Sequence, residues 1–365
     1  MISKRSLSID SSGIRRVFDL AQKIKDPINL SIGQPDFDAS EQVKSAAKQA
    51  IDSGKNTYTL TQGISALRQE VASQYGLDLN LPDAQNSVII TSGVSGGLLL
   101  SYLAVLDPGD EILIPDPFFC MYRDLAKLIN AQPVYYDCYP EFKLPLEEIE
   151  SKVSPRTKAI IINTPCNPTG SVTAENELTS LIEILRKKNI LLIYDEIYSC
   201  YSYDQTHVNV FGRYEQTIIL NGFSKSHAIP GWRVGYAVGA AALINEMCKI
   251  QQYSFVCAPS IAQYSLAGNV TLENTSITDT YRAKRDFICS ALAGKYEFVQ
   301  PRGAFYLFPK APGSSGQAFV EKCIENKLLV VPGNVFSERD SHFRISFAAP
   351  LATLERGAKV LLKLA

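Results

Sequence analysis

Residues 191–198 read LLIYDEIY. The run Leu191–Tyr194 is apolar without alternation, and a strand of that kind is buried on both faces, unlike the in-and-out pattern of a sheet wetted on one side. Burial on both faces requires helices above and below. It also pushes Asp195 out at the carboxyl end of the strand, the edge where open α/β sheets place their ligands.

The same grammar extends outward. AIIIN at Ala159–Asn163 is a second continuous apolar strand, and further candidates are Val88–Thr91, Glu111–Ile114, Pro133–Tyr136, Thr217–Asn221 and Val234–Val238. Helical patterns alternate with them at Gly96–Leu106, Cys120–Asn130 and Glu175–Lys188, after an amphipathic helix at Glu41–Ser53 that Gly54 ends. The alternation predicts an α/β fold: a large domain with a mostly parallel seven-stranded sheet between helices. Beyond about Leu266 the rhythm changes to a charged helical stretch at Tyr281–Phe287, strands at Ala304–Phe308 and Phe343–Phe347, and a terminal helix from Leu351, which reads as a smaller α+β domain. The expected division is 1–40 as an N-terminal segment packing with the small domain, 41–265 as the large domain and 266–365 as the small one.

Composition narrows the function classes. The chain has 365 residues, 46% hydrophobic and 20% charged, with 36 Lys plus Arg against 37 Asp plus Glu. That is a globular composition with no basic excess for nucleic acid. Eight cysteines form no CxxC pair and only three histidines accompany them, so no metal is expected, and reduced thiols point to the cytoplasm. MISKRSLSID at the start lacks the apolar core of a secretory signal. Val88–Leu106 is uncharged and as long as a membrane span, but Thr91, Ser92, Gly93, Ser95, Gly96 and Gly97 break it into a strand, a glycine loop and a buried helix, so no membrane is expected.

Several segments carry chemistry at strand ends. NGFSKSHAIPGWRVGY (Asn221–Tyr236) delivers Ser224, Lys225 and Arg233 together. A lysine amine attacks an aldehyde only when deprotonated, and burial beside Arg233 lowers its pKa; a solvated loop lysine is the plain alternative. Asp195 can hold a pyridinium nitrogen protonated, keeping such a ring an electron sink, though it serves equally as a helix N-cap. Tyr198 offers a hydroxyl to the ring oxygen. NTPCNPTG (Asn163–Gly170) forms a rigid turn from which Asn167 can donate its amide to the same oxygen, while a turn-forming Asn is locally sufficient. TSGVSGG (Thr91–Gly97) joins strand to helix, so amides around Val94, Ser95 and Gly96 make an anion site. PDPFFCMY places Phe119 to stack on a flat ring, with core packing as the equal alternative.

In this order, with LSIGQPDF, YTLTQG, RGAFYLF and FRISF, these segments resemble the class I and II aminotransferases of the fold-type I pyridoxal-phosphate enzymes, the group that includes aspartate aminotransferase. The resemblance spans nearly the whole chain. It implies pyridoxal 5'-phosphate on Lys225, with Asp195 on the ring nitrogen, Asn167 and Tyr198 on the ring oxygen, and Ser224 and Arg233 on the phosphate beside the Ser95 amides. It also implies Arg344 as the holder of the substrate α-carboxylate, where the strand alone favours a surface ion pair. Gly33 matches a close backbone approach to that carboxylate. Tyr58 matches a tyrosine reaching the neighbouring subunit's phosphate, and so a homodimer.

The implied activity is ping-pong transfer of an amino group between an amino acid and a 2-oxo acid, with freed Lys225 moving the α-proton. Carbon-sulfur lyases and other eliminations share the scaffold. Gly93–Gly97 also satisfies G-x-S-x-G, which would make Ser95 a hydrolase nucleophile with His342 as base, although no oxyanion segment precedes it. A non-catalytic sensing module is a third reading, for which no attached DNA-binding segment precedes Ser31. Some aspartate-using relatives carry lysine where Ser95 stands, which puts dicarboxylate specificity in doubt. Phe118, Phe119 and Tyr122 suit aromatic or bulky apolar substrates.

Overall fold

A computed structural model of the chain describes residues 1–81, 84–271 and 275–365. Its strands, in chain order, are β1 (Ile28–Asn29), β2 (Val88–Thr91), β3 (Glu111–Asp116), β4 (Gln132–Asp137), β5 (Thr157–Asn163), β6 (Leu191–Asp195), β7 (Thr217–Gly222), β8 (Gly235–Gly239), β9 (Tyr306–Leu307), β10 (Leu328–Leu329), β11 (Val331–Pro332) and β12 (Phe343–Ser346). Strands β2 to β8 form one seven-stranded sheet in the order β2-β8-β7-β6-β5-β3-β4, in which only β8 runs antiparallel to its neighbours. This is the mostly parallel α/β sheet read from the sequence.

Both faces of the sheet are dry. On one, Ile90, Ile160, Ile162, Leu192 and Ile219 pack with Leu67 and Val71 of the helix Ser65–Gln74 and with Leu178, Leu181 and Leu185 of Glu175–Lys188. On the other, Ile89, Ile112, Ile161, Ile193 and Leu220 meet Leu98 and Leu100 of Gly93–Val105, Leu125 of Cys120–Leu128, and Ile244 and Met247 of Ala241–Gln252. Each such side chain contributes roughly 1.5–3 kcal/mol by leaving water, which is why the strands carry no polar alternation.

Register positions the chemistry. Asn163 at the end of β5 lies opposite Asp195 at the end of β6, and Asp195 lies opposite Leu220 of β7. Gly222 and Thr91 both pair with Gly235. A Cβ on Gly235 would lie 2.8 Å from the Gly93 carbonyl carbon and 2.9 Å from the Val94 nitrogen, so only glycine lets the anion-site turn and the lysine strand close on each other.

The helix expected from Gly96 begins at Gly93. Glycines read as breakers here serve packing: a Cβ on Gly97 would come within 3.0 Å of Leu220, so the helix lies close on β7. The uncharged stretch Val88–Leu106 resolves into β2 and this helix, and no helix among the described residues is long and apolar enough to cross a membrane.

The remaining strands frame a second core. Strands β11, β12 and β9 form an antiparallel sheet, while β1 pairs parallel with β10, Ile28 opposite Leu328. Tyr281, Ile288, Phe305, Leu307, Phe319, Phe343 and Ile345 fill this core together with Ile28 and Leu30, so the N-terminal segment is stitched into it.

Candidate active site

β7 ends at Gly222 and turns at once into the short helix Phe223–Ser226, which carries Lys225. The Lys225 amine donates to the Gly33 carbonyl at 2.6 Å. Burial lowers its pKa from 10.5 to about 8, and the cations Arg344 and Arg233 push the same way, while Asp195 opposes them. The amine is thus poised to lose its proton near neutral pH, as a nucleophile or base requires.

Asp195 is 3% exposed at the end of β6. Burial raises its pKa to about 6, and the two bonds it accepts, from the Tyr122 hydroxyl at 2.7 Å and the Ile197 amide at 3.2 Å, pull it back down. Tyr122, expected near the site as a substrate contact, lines the same cavity and also steers this carboxylate.

Arg344, on β12, is 1% exposed. The surface ion pair that its strand alone suggested is overturned, because the far face of β12 is covered as well. The guanidinium donates to Asn167 Oδ1 at 2.9 Å and to the Ser31 carbonyl at 2.7 Å, and lies 4.6 Å from the ring centres of both Tyr306 and Phe336. Its buried Nε has no hydrogen-bond partner. Asn167 is itself fixed by its amide nitrogen, which donates to Asn163 Oδ1 at 2.8 Å.

At the other end of the cavity the helix starting at Gly93 leaves the amides of Gly93, Val94 and Ser95 without an intrahelical acceptor. The Gly96 amide, expected to join them, bonds the Ser92 carbonyl at 3.3 Å and Gly96 does not line the cavity. The helix begins three residues earlier than expected, so Gly96 already lies inside its hydrogen-bond ladder. Arg233 adopts φ 56°, and one guanidinium nitrogen donates to the Pro230 carbonyl at 2.8 Å. A Cβ on Gly93 would meet another nitrogen of that guanidinium at 2.6 Å, so the glycine gives Arg233 its place beside the free amides.

These groups line one cavity of about 620 Å³, together with Gly33, Phe119, Tyr198, Ser224 and Tyr306. The Tyr198 and Tyr306 hydroxyls are 2.6 Å apart. Phe118 turns away into the core, fully buried and stacked on Tyr135, so it is no pocket residue. Tyr58 is outside the cavity and 83% exposed. Ser95 lines the cavity, but His342 lines a separate depression and stacks on Phe308, so the hydrolase pair is not assembled. Sequence reasoning passed over Ser31 and Phe336, gave Tyr306 no role although RGAFYLF was noted, and missed the N-terminal Ser12 and Ile14 at the cavity wall.

The family profile Aminotransferase class I and II matches residues 25–361. A probable aspartate aminotransferase of Methanocaldococcus jannaschii is 36% identical, over 99% of both chains. Aromatic-amino-acid aminotransferase 2 of Thermococcus litoralis is 34% identical, over 97% of this chain and 95% of its own. The solved structure of Thermus thermophilus aspartate aminotransferase with maleate superposes with a TM-score of 0.94 at 29% identity, covering 100% of both chains. Neither the elimination reading nor the hydrolase reading finds support among these likenesses. The chain belongs to the class I and II aminotransferases, fold-type I enzymes that move amino groups between amino acids and 2-oxo acids.

Proposed function

We propose that Lys225 anchors pyridoxal 5'-phosphate in this cavity and serves as the base of the transamination. The carrying observation is that adjacent strands β7 and β6 deliver an amine and a carboxylate, Lys225 and Asp195, into one cavity that also holds Arg233 and Arg344. The residues fit the group: a glycine-cleared turn with free amides and Arg233 for the phosphate, Phe119 for the ring face, Asp195 for the ring nitrogen, and Asn167 with Tyr198 for the ring oxygen. Ser224 adds a hydroxyl at the phosphate. When bound, the cofactor supplies an electron sink for the pair left on the substrate α-carbon.

Around that sink the protein's own groups act. Arg344, fixed between two rings, takes the α-carboxylate through its remaining donor face, and Gly33 leaves room for it. Lys225 Nζ accepts the α-proton and returns it on the other side of the transfer; an amine with a pKa of about 8 does both near neutral pH. Asp195 stays anionic above about 6. Donor and acceptor share one Arg344, so the first product leaves before the second substrate enters, which is ping-pong kinetics.

Tyr58 and Leu60, 83% and 71% exposed, and Tyr253 at 89% are large apolar side chains left open to solvent, and Phe255, next but one to Tyr253, packs beside Gly96. We assign this surface to a second copy of the chain, with Tyr58 reaching the partner's phosphate site. The chain divides into residues 1–40, 41–265 and 266–365 on this reading, the first pairing with the last through β1 and β10. Eight unbridged cysteines suit the reducing cytoplasm. A broad substrate choice fits the apolar wall that Ile14 adds to the cavity.

Reconstitution with pyridoxal phosphate, borohydride reduction and peptide mapping test the anchor. A visible band and a label on Lys225 are expected; a label elsewhere, or an undiminished band in Lys225→Ala, overturns it. Half-reactions with glutamate, aspartate, alanine and phenylalanine identify the donors.

A further inference from the structure

We propose that Tyr306 is a positioning residue with two separable jobs: its hydroxyl orients the proton of Tyr198, and its ring holds the guanidinium plane of Arg344. The proposal rests on the roles given above to Tyr198 and Arg344. Tyr306 lies on β9, whose partner β12 carries Arg344 two residues before Ser346, the residue opposite Tyr306. It is 1% exposed and lines the cavity.

Each phenol has a single proton. With the two oxygens 2.6 Å apart, one proton lies between them and the other must point elsewhere. If Tyr306 donates, the Tyr198 proton is left for the ring oxygen. If Tyr198 donates, its proton is spent and only the Tyr306 proton is left over, beside Gly33, whose carbonyl already accepts from Lys225. Burial raises both phenols, Tyr198 the further, and Arg344, whose cation lies 4.6 Å from the Tyr306 ring, pulls each back, which leaves Tyr306 the stronger acid of the pair and so the donor.

The ring has a distinct task. The Arg344 guanidinium carbon lies 4.6 Å from the centre of the Tyr306 ring and 4.6 Å from that of Phe336. Two rings fix the plane of a guanidinium as hydrogen bonds at its tips cannot, and a carboxylate binds it as a fork only in that plane.

The test is a pH titration of the visible band of the reconstituted enzyme, with steady-state kinetics, for Tyr306→Phe, Tyr198→Phe, the double variant and Tyr306→Leu. Tyr306→Phe is expected to move the titration midpoint in the same direction as Tyr198→Phe, by about one pH unit or less, and to add nothing in the double variant. KM stays within about twofold for Tyr306→Phe, which keeps the ring, and rises about tenfold for Tyr306→Leu. Should Tyr306→Leu not fold, Phe336→Leu strips the second ring from the same guanidinium and must raise KM likewise. Additive midpoint shifts, no shift in Tyr306→Phe, or a KM that rises equally for Phe and Leu overturn the proposal. A wild-type protein without any visible band overturns the cofactor reading, and this proposal with it.

Discussion

Replacing Lys225 by Met should stabilise the cofactor-free protein at neutral pH by an amount that fades as the solution is made alkaline. The amine is charged in the unfolded chain below 10.5, but the folded cavity lowers that value to about 8, first by burial and then through Arg344 and Arg233. A lysine whose folded pKa is depressed costs stability wherever it is charged in both states, so the full cost applies below about pH 8 and vanishes above 10.5. The drop from 10.5 to about 8 corresponds to about 3 kcal/mol at ~1.4 kcal/mol per pH unit. At pH 7 nearly all of it is present; by pH 9.5 about 2 kcal/mol has gone. Losing the bond to the Gly33 carbonyl offsets part of the gain, but by an amount that hardly varies with pH until the amine itself titrates.

The measurable quantity is therefore the gap between the two proteins as a function of pH. Urea unfolding of cofactor-free wild type and Lys225→Met, at one protein concentration and at pH 7, 8, 9 and 9.5, gives it by linear extrapolation. The variant's advantage should shrink by about 2 kcal/mol across that range. A gap constant within about 0.5 kcal/mol would show that the folded amine titrates as an ordinary lysine, and the account of how this base is prepared would fail.

Tyr122→Phe removes a charge-assisted bond from Asp195 worth roughly 1.5–3 kcal/mol, so the carboxyl, already raised to about 6, should hold its proton about one to two units higher. The acid limb of the kcat/KM profile then moves up by a similar amount, and an unmoved limb would contradict the assignment. Arg344→Leu leaves Asn167 Oδ1 and the Ser31 carbonyl without their donor; kcat/KM for every amino acid should fall roughly 10- to 100-fold or more, whereas a loss restricted to one substrate would point to a side-chain contact instead. Gly33→Ala drives a methyl group into the Tyr306 hydroxyl and should cost about 1–3 kcal/mol in urea unfolding together with a raised KM, while wild-type values would mean that the segment moves aside freely.

What the sequence disclosed follows from where each signal is written. β6 was read to the residue because a strand with two dry faces has no choice of composition: Leu191–Tyr194 could be nothing else, and the first polar residue after it had to be the strand end. Lys225 and Asn167 each follow an apolar strand at a turn, which sets them at the sheet edge, but a solvated lysine and a turn-forming Asn were locally sufficient there, and only the resemblance gave them roles. Arg344 was not legible from its strand. A four-residue segment with a charged residue on one face looks alike whether that face meets water or a layer of aromatic rings, and the rings here come from Tyr306 and Phe336. What escaped is main-chain chemistry: Ser31 acts through its carbonyl oxygen, which every residue possesses, so no residue type marks it, and Gly33, noted only for the room a glycine leaves, also acts through its carbonyl on Lys225.

That difference has a physical consequence for how the site is assembled. The strand ends deliver charge, but the segment 31–33 supplies the neutral acceptors that hold both the Arg344 guanidinium and the Lys225 amine in line, and it follows β1, which pairs with β10 outside the seven-stranded sheet. A substitution that loosens Ile28 or Leu328 would therefore disturb Lys225 and Arg344 together while leaving Asp195 and the Gly93 turn in place. Such a variant should still take up cofactor through its phosphate end and lose substrate affinity first. The chemistry is anchored to the large sheet, whereas the alignment of its base with its carboxylate site depends on a two-residue strand that no apolar pattern announces.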